Sequence, residues 1–438
     1  MFSKLSVVNR QRRHWLFRFG GATLAFILAR PRAALRSSSP YNEEGSPADH
    51  PGCHRNQKPR LVAQPGFLIL EQGNGHTAMN MPLSVVENAV ESAIENAVEN
   101  AVVSPPARRR EVALPTPDQL RGDFPLVAKL EAQIEHQRQA IRNILNGADD
   151  RLLVVIGPCS IHDEVAALEY AQRLKQLAAD VSDRMLIVMR AYLEKPRTTV
   201  GWKGLLYDPE RSGRGDLHQG LVRSRQLLLN LAATGLPLAT EALSPFAMDY
   251  LGDLVSWTAI GARTTESQLH REMASGLPMP VGFKNGTDGG IAVATNAMQS
   301  AAHGHHHPGL SARGTPVMIS TEGNADTHLV LRGGRGITNY DSHSIARATH
   351  ALQQAGLKPA VMVDCSHDNA CKQHERQQEI ARDVVAQRRA GNRHICGLML
   401  ESFLQPGRQN DSADLQYGCS ITDPCLGWEQ TEALLRSL

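Results

Sequence analysis

Met185-Leu-Ile-Val-Met-Arg-Ala-Tyr-Leu-Glu-Lys-Pro-Arg-Thr-Thr-Val-Gly-Trp-Lys-Gly204 carries the pattern that the rest of the chain repeats. Its first five residues are an apolar run that reads as a buried strand ending at Arg190. Pro196 has no N–H to give a ladder, and Gly201 and Gly204 punctuate the residues beyond it, so Lys195, Arg197 and Lys203 fall in a loop. Taken alone, such a loop is a solvated basic segment. Repeated at the end of strand after strand, it becomes a site that needs anions.

Outward from this stretch, short apolar runs alternate with amphipathic helices. The strands are expected at Leu152–Gly157, Met185–Arg190, Pro237–Leu243, Ala259–Arg263, Pro280–Lys284, His328–Arg332, Ala360–Asp364 and Ile395–Glu401. Helical patterns between them include Ala166–Ala179, Leu221–Ala233, His343–Gln354 and Glu375–Arg389. Eight strand–helix units over roughly 290 residues match an α/β fold of the (β/α)8 barrel type in number and length. A doubly wound open sheet would put a Gly-rich phosphate turn after its first strand, and Gly157-Pro158-Cys159-Ser160 is not one. The segment His303–Asn324 does not fit the repeat and reads as an inserted hairpin or loop. Its histidines 305 to 307 are expected to be solvated rather than metal-bound.

The sequence divides into an N-terminal extension (1–110), a helical segment packing on the barrel (111–150) and the barrel itself (151–438). Residues 1 to about 42 contain no Asp or Glu and seven arginines, a composition that resembles a transit peptide, with a weak twin-arginine pattern at Arg12-Arg13. A second reading places residues 1–78 ahead of a true start at Met79 or Met81. The apolar run Ala22–Ala29 is too short to span a bilayer, which takes ~20 residues. Residues 85 to 103 repeat every four residues and suit a helix with one apolar stripe. Pro105-Pro106 stops it, Arg108-Arg109-Arg110 reads as linker, and a further helix is expected over Phe124–Leu145 up to Asn146-Gly147.

The 438 residues carry a net charge of only +2, so any basic site is local, and nothing in the balance points to nucleic acid or an anionic membrane. Seven cysteines without regular spacing or a CxxC pair fit a reducing, cytoplasmic setting and argue against a structural zinc knuckle.

The strand ends are where chemistry gathers. Cys159 and His162 follow the first strand, Arg190 ends the second, Glu241 lies in the third, Arg263 ends the fourth and Lys284 the fifth. Arg332 ends the sixth, Asp364-Cys365-Ser366-His367 the seventh and Glu401 the eighth. A closed barrel brings these ends to one face. Arg190, Lys195, Arg197, Arg263, Lys284 and Arg332 sum to about +6, enough for two phosphates of roughly −2 each and a carboxylate. Cys159, His367, Glu401 and Asp423 lie at or beyond the ends of neighbouring strands, and such a mixed donor set suits a first-row divalent metal better than magnesium. A buried cysteine after a strand is also commonly just packed.

Several ordered blocks resemble the class I (type I alpha) 3-deoxy-D-arabino-heptulosonate 7-phosphate (DAHP) synthases. They are Arg151-Leu-Leu-Val-Val-Ile-Gly-Pro-Cys-Ser-Ile-His-Asp163, Lys195-Pro-Arg-Thr-Thr199, Gly261-Ala-Arg-Thr-Thr-Glu-Ser267, Gly282-Phe-Lys-Asn-Gly-Thr-Asp-Gly289, Leu331-Arg-Gly-Gly334, Asp364-Cys-Ser-His367 and Ser420-Ile-Thr-Asp423. The resemblance covers about Phe124 to Leu438. It implies condensation of phosphoenolpyruvate with erythrose 4-phosphate, the entry step of aromatic amino acid synthesis. It implies a divalent metal (Mn, Fe, Co or Zn) on Cys159, His367, Glu401 and Asp423. It implies Arg190 and Lys284 at the phosphoenolpyruvate carboxylate, Arg263, Arg332 and the backbone of Ala262 at its phosphate, and Arg197 and Thr198 at the aldose phosphate. Lys195 falls next to the reacting atoms, so Lys195, Arg190 and Lys284 form the expected catalytic group.

The resemblance also implies a homodimer or homotetramer and an aromatic amino acid effector. Thr240-Glu-Ala-Leu243 and Met362-Val-Asp-Cys-Ser366 favour tyrosine. Ser244, Met248 and Asp249 depart from the family's Asp and Pro-Gln at the effector pocket. The sister synthase that uses arabinose 5-phosphate to make 3-deoxy-D-manno-octulosonate 8-phosphate carries Lys-Ala-Asn-Arg-Ser-Ser in its second loop, and Lys195-Pro-Arg-Thr-Thr199 differs from it. A Schiff-base aldolase using Lys284 and a non-catalytic sugar-phosphate sensor are the other readings.

Overall fold

The computed structural model describes residues 111–438 and, before them, a few short strands. His14–Phe19 pairs antiparallel with Ala22–Ile27, and Arg60–Gln64, Phe67–Gln72 and Gly75–His76 form an antiparallel three-stranded sheet. These strands stand in a stretch read from sequence as irregular or partly helical. The helix expected over residues 85 to 103 and the run Arg108-Arg109-Arg110 lie outside the described residues. The chain divides into two units, Met1–Glu111 and Val112–Leu438.

The second unit opens with helices α1 (Pro117–Asp123) and α2 (Ala128–Leu145). The helix expected over Phe124–Leu145 is α2, which starts four residues later, and α1 precedes it where no separate helix was expected. Thr116 and Gln119 close a capping box at the start of α1, with Pro117 at its first position. Pro125 cannot continue a helical ladder, so the chain breaks before α2 starts. Gly147, at φ 72°, takes the left-handed position just past α2.

Eight parallel strands come next: β1 (Leu152–Gly157), β2 (Met185–Arg190), β3 (Leu238–Glu241), β4 (Trp257–Ile260), β5 (Val281–Lys284), β6 (Thr327–Leu331), β7 (Val361–Asp364) and β8 (Ile395–Glu401). They pair in chain order and close through β8 on β1, with Glu401 opposite Gly157. After each comes a helix: α3 (Glu164–Asp180), α4 (Leu217–Ala232), α5 (Pro245–Leu251), α6 (Gln268–Ser275), α7 (Ala292–Ala301), α8 (Ser342–Gln354), α9 (Arg376–Arg389) and α10 (Trp428–Ser437). Asp163, Asp216 and Asp341 cap α3, α4 and α8 through their side chains. Between α7 and β6 the expected insertion is a β-hairpin, His306–Leu310 against Pro316–Ser320. The fourth strand is shifted relative to its sequence assignment and ends at Ile260, so Arg263 belongs to the turn beyond it.

Two apolar layers are separated by strand parity. Leu152, Val154, Ile156, Ile187 and Phe283 pack outward under the helices. Leu153, Val155, Val188, Ala239, Val330, Met362 and Met399 fill the interior, where Ile141, Ile144 and Leu145 of α2 join them. Because side chains alternate along a strand, on five strands the inward position that follows the last interior apolar residue is a polar one. Val188 leads to Arg190, Ala239 to Glu241, Val330 to Arg332, Met362 to Asp364 and Met399 to Glu401. The helix α2 meets the interior where the strands begin, at Leu153, Trp257 and Ala360, so chemistry is left to the end where the strands finish.

Candidate active site at the carboxyl end of the barrel

A cavity of about 240 Å³ opens at that end, lined by Lys195, Arg197, Thr198, Ala262, Arg263, Lys284, Arg332, His367, Glu401 and Asp423, together with Glu241, Asp368 and Lys372. Ten of the twelve residues singled out from sequence thus share one wall. The other two, Arg190 and Cys159, lie beneath it with no exposed surface.

Arg190 is held from several sides. Its Nη2 donates to Glu401 Oε1 at 3.1 Å and to the Cys159 carbonyl at 3.4 Å, and its Nε to the Pro158 carbonyl at 3.4 Å. The Tyr192 ring lies 3.9 Å from the guanidinium carbon, two residues along the same extended segment. Its Nη1 is buried and has no partner in the protein, the one direction left for a ligand.

Cys159 Sγ and carboxylate oxygens of Glu401 and Asp423 all lie within 4.8 Å of one another, although Cys159 and Asp423 are 264 positions apart. The Lys195 ammonium reaches into this cluster, 2.7 Å from Cys159 Sγ and 2.8 Å from Asp423 Oδ2. It holds the Asp423 carboxyl well below the usual carboxylate range. Burial, with the Glu401 carboxylate nearby, pushes the Cys159 thiol well above its usual value. Three donor atoms this close could hold a metal ion, and the soft sulfur among hard oxygens fits a first-row metal. His367 lines the same cavity but stands apart from this close triad. Its Nδ1 is 2.7 Å from Asp364 Oδ2.

The anion side is built from separate cations. Lys284 Nζ pairs with Asp364 at 3.0 Å and Arg332 with Asp368 at 3.1 Å. Arg263 Nη2 donates to Thr198 Oγ1 at 3.3 Å, which joins the turn after β4 to the loop after β2. Arg197 Nε donates to the Trp202 carbonyl and so braces its own loop.

His162, which sequence placed after the first strand, turns away and packs edge-on against Phe403. The hairpin histidines go their own ways, His305 to the Ser300 carbonyl, His306 to the Ser320 hydroxyl and His307 to the Pro308 carbonyl. Among the described residues, Cys159, Glu401 and Asp423 are the group able to hold a metal ion. Sequence reasoning named Asp364 at the end of the seventh strand without giving it a role, and it passed over Tyr192 and Lys372. For Asp364 the signal was present, since it stands two places beyond the interior Met362.

The family model described as DAHP synthetase I matches residues 128–436. The chain belongs to the DAHP synthetase I family. It is 55% identical over 331 residues to the tyrosine-sensitive phospho-2-dehydro-3-deoxyheptonate aldolase of Escherichia coli, covering 75% of this chain and 93% of that protein. It is 47% identical over 334 residues to the phenylalanine-inhibited enzyme of Saccharomyces cerevisiae, covering 74% and 90%. The structure of the Francisella tularensis phospho-2-dehydro-3-deoxyheptonate aldolase superposes with a TM-score of 0.73 at 40% identity, over 75% of this chain and 96% of that one. Both the barrel and the cavity of this family member fall inside the matched span. Among the described residues, no helix is long and apolar enough to cross a membrane.

Proposed function

We propose that this chain condenses phosphoenolpyruvate with D-erythrose 4-phosphate to give 3-deoxy-D-arabino-heptulosonate 7-phosphate and inorganic phosphate. The observation that carries it is one cavity that joins a soft and hard donor cluster to a row of cations, within a chain 55% identical to such an enzyme. Lys284 and the free Nη1 of Arg190 take the enolpyruvyl carboxylate. Arg263, Arg332 and the Ala262 N–H take its phosphate, whose charge of about −2 these cations balance. Arg197 and Thr198 take the phosphate of the aldose.

A divalent metal (Mn, Fe, Co or Zn) held by Cys159, His367, Glu401 and Asp423 would polarise the aldehyde oxygen for attack. The protein groups position the partners: C3 of the enol bonds to the aldehyde carbon as its C=O opens to an alkoxide, water adds at C2, and the C2–O bond to phosphate breaks to leave a C2 ketone, one of water's protons leaving with the phosphate and the other restoring the one Lys195 gives up. Lys195, beside the donor cluster, supplies the proton to the new alkoxide. Lys284, salt-bridged to Asp364, serves anion binding rather than imine formation.

The enzyme works as a homodimer or homotetramer in the cytoplasm, with an aromatic amino acid as effector, tyrosine favoured over the others by Thr240-Glu-Ala-Leu243 and Met362-Val-Asp-Cys-Ser366. Of the three residues that differ from the family's effector pocket, Met248 and Asp249 line a groove of about 930 Å³ beside the hairpin, and Ser244 is not part of its lining. Phosphate release from phosphoenolpyruvate is expected with erythrose 4-phosphate and not with arabinose 5-phosphate, and it should stop on chelation. Cys159→Ala should abolish the metal-dependent rate. Full activity in that variant with one bound metal per chain would overturn the donor set. Adding each aromatic amino acid in turn to the same assay identifies the effector.

A further inference from the structure

One carboxylate beneath the cavity touches both halves of the site. Asp364 ends β7 with no exposed surface, and four donors converge on it. His367 Nδ1 at 2.7 Å and Lys284 Nζ at 3.0 Å meet Oδ2. The Ser366 hydroxyl at 2.6 Å and the Ser366 N–H at 3.0 Å meet Oδ1. A carboxylate offers about four acceptor positions, and here all are used. The Ser366 oxygen, having given its proton to Asp364, is itself 2.9 Å from His367 Nδ1 and can only accept there. Both neighbours of Nδ1 thus call for a proton on it, which leaves Nε2 as the ring nitrogen with a lone pair.

We propose that Asp364 is a positioning residue that couples the two halves of the site, fixing His367 with Nε2 free for a divalent cation while holding the Lys284 ammonium for the substrate anion. The inference rests on the roles given above to His367 and Lys284. Its physical content is a shared charge: whatever draws Lys284 toward an anion leaves Asp364 more fully to the imidazole, which makes that ring a better donor. Linkage then requires the cation to strengthen anion binding by the same factor.

The tautomer is read without any change at Asp364. In the metal-free full chain labelled with 15N-histidine, the signal that disappears in His367→Gln should be that of a ring protonated on Nδ1. An Nε2-protonated ring overturns the proposal. Calorimetric titration with Mn2+ reads the coupling. Asp364→Asn should weaken binding about 10- to 100-fold. Lys284→Met should tighten it at least threefold, and that gain should vanish in the Asp364→Asn background. An equal gain in both backgrounds would mean that the lysine acts through space, and the coupling fails. No Mn2+ binding by the wild-type chain would instead overturn the metal reading of the site, while the tautomer still decides the positioning role.

Discussion

Arg190→Met tests whether the buried guanidinium exists to balance Glu401. Arg190 has no exposed surface and Glu401 is 2% exposed, so the pair at 3.1 Å is screened by protein rather than by water. Methionine fills much of the arginine volume, so packing largely survives and the carboxylate is left buried beside the other donors. Removing one partner of a buried pair costs about 3–5 kcal/mol, because the remaining charge is uncompensated. Loss of the stack on Tyr192 adds ~0.5–2 kcal/mol. The assay is urea unfolding followed by circular dichroism, in buffer with chelator. Arg190→Met/Glu401→Gln should recover at least about half of the loss, since a neutral amide needs no counter-charge. Saturating Mn2+ should also recover stability in the single variant, by about 2.7 kcal/mol at one hundred times its dissociation constant. A single variant within about 1 kcal/mol of wild type, or a double variant less stable than the single one, would refute the reasoning.

Other expectations rest on the same contacts. Lys195→Ala should lower turnover by about 10²- to 10⁴-fold while phosphoenolpyruvate binding changes little, and near-normal turnover removes it from the proton transfer. Glu194 is 4% exposed, and burial raises its carboxyl to about 7. The fold therefore favours its neutral form, and the stability it contributes is full below about 4.5 and lost as pH rises to about 7, some 3 kcal/mol in all. Glu194→Gln should flatten the unfolding midpoint across that window, and an unchanged pH profile would show that the carboxyl is not so held. Gly282→Ala should destabilise the barrel, because a Cβ there would collide with the Trp257 ring and Val330. A thermal midpoint equal to wild type would mean the interior layer has room to shift.

Much of the barrel was legible because its signals are local. Most strands are short apolar runs with a charged residue at or just beyond the end, as at Arg190, Glu241, Lys284, Arg332, Asp364 and Glu401, and a closed barrel brings such ends to one face. Sequence and structure part where local signals compete: the helical pattern over Phe124–Leu145 includes Pro125, yet α2 starts only at Ala128, and the residues after Ile260 are compatible with a strand up to Arg263 but form a turn. The sequence by itself determined the number and order of strand–helix units, the charged residues at their ends and, through its ordered blocks, the family. Tertiary structure alone decided distances. Closure of β8 on β1 sets Cys159 against Asp423 across 264 positions, buries Arg190 beneath the cavity rather than in its wall, and hands His367 Nδ1 to Asp364. The reason is physical: alternation along a strand depends on neighbours two residues away, whereas the separation between strand ends depends on how the whole sheet closes.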